Sequence, residues 1–105
     1  MLTEFEQLAL LAVMRVGEDA YGVPVHAEIR RCTSRDLSVA SVYKTLERLQ
    51  DKGFVTGRVG PPTPERGGRA KRFYTVTNTG RAQLRKSLAS IRRLAEGLGV
   101  GFEPS

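Results

Sequence analysis

The sequence predicts a mostly α fold with a small β-hairpin: a winged helix-turn-helix followed by a C-terminal dimerisation helix. Three observations predict it. Residues 38–53 read as an amphipathic helix whose wet face is small and polar, then basic. The run after it alternates in strand fashion on either side of a loop dense in Gly and Pro. The last helical stretch repeats its apolar residues at spacings of 4, 3, 4 and 3, the seam of a paired helix.

In chain order, Thr3 and Glu6 form a T-x-x-E capping box, which predicts a first helix from about Glu4 to Val16, ended by Gly17. Phe5, Leu8, Ala12 and Val16 make its expected inward stripe, and Leu10, Leu11 and Met14 cover much of the rest. A helix apolar on more than one side either lies at the centre of its own domain or meets a second copy. The C-terminal helix favours the second explanation, with Phe5, Leu8 and Leu11 as the contact residues. A turn at 18–22 opens a second helix through about Cys32, with Pro24 tolerated in its first turn. Val25, Ile29 and Cys32 are expected to face inwards, Cys32 as a small buried hydrophobe. His26 is expected at the surface.

Residues 33–36 are a short polar turn leading to Ser38, which can cap the next helix. In that helix Val39, Val42, Leu46 and Leu49 share one side, while Ser41, Lys44 and Arg48 share the other, with Glu47 and Asp51 to the flank. Lys52 and Gly53 end it. Two helices so joined, the second showing a polar and basic face, are a helix-turn-helix whose second helix fits a DNA major groove. Strands are expected at 54–59 and 70–77, around a loop at 60–69. Tip and return strand carry Arg66, Arg69, Lys71 and Arg72 against Glu65 alone, as suits a wing lying along a phosphate backbone. Thr77 or Asn78 caps a last helix to about Glu96, with Leu84, Leu88, Ile91, Ala95 and Leu98 on its seam and a basic opposite side. The expected organisation is a DNA-binding domain at 1–77, a dimerisation helix at 78–98 and a flexible tail at 99–105.

Charge is distributed to match. Residues 1–37 hold four basic and six acidic residues, whereas 38–105 hold thirteen basic and five acidic, giving +6 in all and a pI near 10.1. A basic rear half suits a polyanion. One Cys and one His give no disulfide framework and no readable metal site. No nucleophile–base set, cofactor motif or membrane-length apolar run is present, so the expectation is a cytoplasmic, nucleoid-associated protein that is not an enzyme and carries no cofactor.

Three blocks resemble the PadR family of transcriptional regulators: Phe5-Glu-Gln-Leu-Ala-Leu-Leu with Asp19-Ala-Tyr-Gly22; Ser41-Val-Tyr-Lys-Thr-Leu-Glu-Arg-Leu with Lys52-Gly-Phe-Val55; and Pro64-Glu-Arg-Gly-Gly-Arg-Ala-Lys-Arg-Phe-Tyr-Thr-Val-Thr with Gly80-Arg81. They span roughly residues 4–85. The resemblance implies a winged-helix homodimer repressing an inverted-repeat operator, with relief by a ligand. Carried over by motif position, Tyr21, Ser41, Tyr43, Lys44, Arg69, Lys71 and Arg72 are its expected DNA contacts. The chain is similar to the short-tailed members, and it lacks the interface tryptophans some of these use to hold flat drugs, so that activity is not carried over. On this reading Ser41, Lys44 and Ser38 address base edges, Tyr21, Tyr43 and Arg48 address phosphates, and any effector is a small hydrophobic molecule. The alternative is a winged-helix adaptor for protein or RNA, with no operator of its own.

Overall fold

The computed structural model describes residues 1–62 and 70–101. Along them run α1 (Glu4–Val16), α2 (Gly22–Thr33), α3 (Val39–Asp51), β1 (Val55–Pro62), β2 (Ala70–Val76) and α4 (Asn78–Ala95), with a 3-10 turn at Gly17–Asp19. The winged helix-turn-helix is therefore present, helix starts included. Thr3 accepts from the Glu6 N–H and Glu6 accepts in return from the Thr3 N–H, closing the capping box. Ser38 and Thr77 cap α3 and α4 with one side-chain bond each, accepting from the Ser41 and Gly80 N–H groups.

The three-helix core is built from α1, α2 and α3 and closed by the hairpin. Leu10, Val25, Val42, Leu46, Leu49 and Val55 are fully enclosed, with Ala9, Val13, Ile29 and Leu84 around them. Two expectations change here. The innermost stripe of α1 is Glu6, Ala9, Leu10 and Val13, one step round from the expected stripe, and Phe5 and Leu8 are only half-buried. A helix apolar nearly all round has no unique inner face, and packing against α2, α3 and the hairpin decides the matter. Cys32 is exposed, because α2 turns it out onto the α1 side, where its thiol lies 3.4 Å from Glu28 Oε2.

β1 and β2 pair antiparallel, Val55 opposite Val76 and Val59 opposite Arg72, with an irregularity between Val59 and Pro62. The Tyr74 N–H donates to the Ala20 carbonyl at 2.8 Å, so the wing is hydrogen-bonded to the segment that precedes α2. Thr77 Oγ1 donates to the Gly53 carbonyl at 2.7 Å and accepts from the Gly80 N–H at 3.0 Å. A Cβ on Gly80 would lie 2.1 Å from the Phe54 carbonyl oxygen, so only glycine lets α4 pass this close. The first turns of α4 thus pack on the chain's own core through Leu84 and Leu88.

Candidate nucleic-acid interface

The outer face of α3 is the centre of the surface. Its inner stripe, Val42, Leu46 and Leu49, is fully buried, and Thr45 joins it. That pins the opposite stripe, and Ser41, Lys44 and Arg48 are exposed as expected. The entry to the helix is rigid. His26 Nε2 donates to the Leu37 carbonyl at 2.7 Å, tying the preceding turn to α2. Ser38 Oγ accepts from the Ser41 N–H at 3.1 Å and lies 2.9 Å from Ser41 Oγ, so the two hydroxyls present a paired polar edge.

Glu6 is the residue that reading the sequence missed. Its side chain is 0% exposed beneath α3. Lys52 Nζ donates to Oε2 at 2.7 Å, and Arg48 Nε donates to the same oxygen at 3.2 Å. Burial by itself pushes this carboxyl up. The hydrogen bonds from Lys52, the Thr3 N–H and Arg48, with the Lys52 charge, outweigh it and hold the pKa at about 2. Arg48 is therefore a structural partner as well as a surface cation; its side chain remains half exposed. The signal in the sequence is an acid at the third helical position, which the capping box by itself also explains.

The two tyrosines differ. Tyr43 is half-buried, and its ring passes within 2.3 Å of where a Gly22 Cβ would stand, so Gly22 is what lets α2 and α3 approach. Tyr21, expected on the phosphate-facing surface, is only 8% exposed. Its ring meets Phe73 edge-on at 5.2 Å, which makes it first a packing residue between α2 and the wing.

On the wing, Arg72 is exposed and Lys71 partly so, and Arg58 lies over the Phe73 ring at 5.0 Å. Phe73 is buried although it alternates with the inward Tyr74 and Val76, because Tyr21 covers it and its ring lies against Gly60. Arg66 and Arg69 lie outside the described residues.

The expected dimer residues also divide. Leu84 is buried and Leu88 packs partly on the chain's own core, because Gly80 seats α4 on Phe54. Beyond them Ile91, Leu94 and Leu98 are 44%, 81% and 67% exposed. Leu94, off the expected seam, is the most exposed of the three. On α1, Leu11 and Met14 are exposed and line a groove of about 550 Å³ with Leu8, Ile29 and Cys32. Among the described residues no His, Cys, Asp and Glu cluster could hold a metal, and no helix is long and apolar enough to cross a membrane.

Helix, turn, helix and basic hairpin in this order define a winged helix-turn-helix of the DNA-binding kind. A model of the transcriptional regulator PadR-like family matches residues 10–86, and the chain belongs to that family. Its members are transcriptional regulators that bind DNA. Solved structures agree on the fold. A PadR-like regulator from Bacillus cereus matches with 21% identity and a TM-score of 0.68, over 93% of each chain. A transcriptional regulator from Clostridium thermocellum matches with 15% identity and a TM-score of 0.71, over 93% of this chain and 92% of that one. BpsR of Bordetella bronchiseptica, whose DNA binding is regulated by 6-hydroxynicotinic acid, matches with 21% identity and a TM-score of 0.68, over 98% of this chain and 69% of that one. No curated protein matches the sequence.

Proposed function

We propose that the protein is a dimeric, sequence-specific repressor that binds an inverted-repeat operator through α3 and the wing. The observation carrying this reading is the exposed Ser41–Lys44–Arg48 stripe on α3, turned away from the buried Val42–Leu46–Leu49 stripe. Side chains of this size and polarity suit base edges and flanking phosphates in a major groove. Ser38, Ser41 and Lys44 take the base edges; Tyr43, Arg48, Lys71 and Arg72 take the backbone. Arg66 and Arg69 extend the same role along the wing by their place in the sequence.

Dimerisation is supported by apolar surface that the chain does not cover itself: Ile91, Leu94 and Leu98 at one end, Leu11 and Met14 beside the α1 groove at the other. A second copy, with its own α4 laid on that groove, covers both. Two α3 helices then reach successive major grooves roughly 34 Å apart. The same groove, apolar with Glu28 and Arg15 at its edge, suits a small hydrophobic effector that relieves repression. Control of BpsR by a small molecule supports such regulation within this fold.

Selection from random-sequence DNA with the purified protein tests the proposal. A palindromic consensus is the expected result. Failure to enrich any sequence overturns it and leaves the adaptor reading in its place.

A further inference from the structure

We infer that Glu6 is a positioning residue for sequence reading: its buried carboxylate sets the rotation at which α3 presents Ser41 and Lys44. The inference rests on the proposal that α3 reads DNA. A carboxylate taken fully out of water is costly, and an apolar residue of similar size is often as good or better for stability. The cap needs only one oxygen, which a Gln would supply as well. A charge kept at this place calls for a further role, and its geometry names one.

The two oxygens divide the work. Oε1 accepts from the Thr3 N–H at 2.9 Å and so belongs to the start of α1. Oε2 accepts from Lys52 and Arg48, which belong to α3 and its C-terminal cap. Arg48 also reaches Thr45 Oγ1, at 3.5 Å, and Thr45 is buried. One rigid carboxylate therefore joins two helices through cations a turn apart on the second. The remaining contact between these helices is apolar, and the hydrophobic effect has no preferred direction. It resists separation of α1 and α3 more than it resists a small roll of α3 about its own axis. A roll of about 15° moves a side-chain tip by roughly 1.5 Å on a helix of about 5–6 Å radius, enough to break a base-edge hydrogen bond. Arg48 follows Lys44 and Ser41 along one stripe, so holding it holds them.

The test uses the full-length protein with Glu6→Gln and, separately, Lys52→Gln. Lys52 stands at the helix end, outside the reading stripe, and is partly exposed, so its variant perturbs the same carboxylate from the solvent side, and a thermal melt establishes that each variant is folded before its binding is read. Binding is measured at one salt concentration to the palindrome selected by the wild type and to a scrambled duplex of equal length. The expected result is about a tenfold loss on the palindrome, the scale of one misaligned base contact. Affinity for the scrambled duplex is unchanged with Lys52→Gln beyond its single lost charge, and is unchanged or raised with Glu6→Gln, which removes a negative charge. Parallel losses on both duplexes, or a preserved ratio between them, overturn the role of Glu6 alone. A wild type that enriches no palindrome overturns the DNA-reading proposal with it.

Discussion

Lys52 Nζ and Glu6 Oε2 stand 2.7 Å apart, 46 residues apart in sequence, and join the first turn of α1 to the end of α3. The carboxylate is enclosed and the ammonium reaches in from the surface. Stability then depends on pH in a defined direction. Against the upward push of burial, the hydrogen bonds from Lys52, Thr3 and Arg48 hold the Glu6 carboxyl at a pKa of about 2 in the folded chain, well below the 4.5 of an ordinary glutamate. A depressed carboxylate contributes stability in full above about pH 4.5, and loses it as pH falls towards 2. Glu6→Gln should cost about 2 kcal/mol at pH 7, allowing for solvent screening at the two partly exposed cations. Urea unfolding at pH 7 and pH 3 checks this: the gap between wild type and variant should narrow at pH 3. A constant gap would place the loss in packing.

Two glycines should respond differently to alanine. At Gly80 the new Cβ meets the Phe54 backbone carbonyl at 2.1 Å, and the backbone there has nowhere to go. A loss of about 3 kcal/mol is expected. At Gly22 the new Cβ meets the tip of the Tyr43 ring at 2.3 Å, and a side chain can swing aside. Gly22→Ala should cost about 1 kcal/mol and weaken DNA binding through the displaced tyrosine. Thermal melts and mobility shifts on the same preparations separate the two effects; equal stability losses would contradict the geometry.

Salt dependence should distinguish DNA contacts made by the wing from those made by α3. Lys71→Ala and Arg72→Ala should each flatten the slope of log K against log salt by about 1, whatever the DNA sequence. Lys44→Ala should chiefly change sequence preference. A uniform loss across sequences would move Lys44 to the phosphates.

Leu94→Lys combined with Leu98→Lys should separate the copies. Each leucine contributes about 1.5–3 kcal/mol when covered, so the dissociation constant of the dimer should rise at least about a hundredfold. Sedimentation at micromolar concentration reads this directly, and the melting temperature of the winged domain should stay close to wild type. A wild type that sediments as a single copy would remove the dimer from the account. Cys32 gives an independent check, since its exposed thiol lines the α1 groove. Thiol labelling should be slow in the wild-type dimer and fast in the double variant.

The caps at Thr3, Ser38 and Thr77 and the breaks at Gly17 and Gly53 were legible because they depend on local backbone chemistry. The face of α3 was legible because Val42, Leu46 and Leu49 contrast sharply with Ser41, Lys44 and Arg48. In α1 that contrast is missing, so nothing local distinguishes Leu8 from Leu10. Tyr21 and Cys32 escaped for a related reason. Tyr21 is buried by Phe73 and Cys32 is left exposed beside the α1 groove, and both neighbours are far away in sequence. Glu6 was hidden because one acid served two partners, and the nearer partner accounted for it. Leu84 and Leu88 belong to the regular spacing of α4, but which turns lie on the core depends on Gly80.

The close passage of Gly80 under the Phe54 carbonyl has a mechanical consequence. Because α4 is clamped at its root, only the turns beyond Leu88 project like a stiff outrigger, about 10 Å of a helix about 27 Å long at 1.5 Å per residue. Whatever grips the far end is thereby surveyed against the wing, and a small tilt at the grip is delivered to the opposite edge of the molecule as a change of aim.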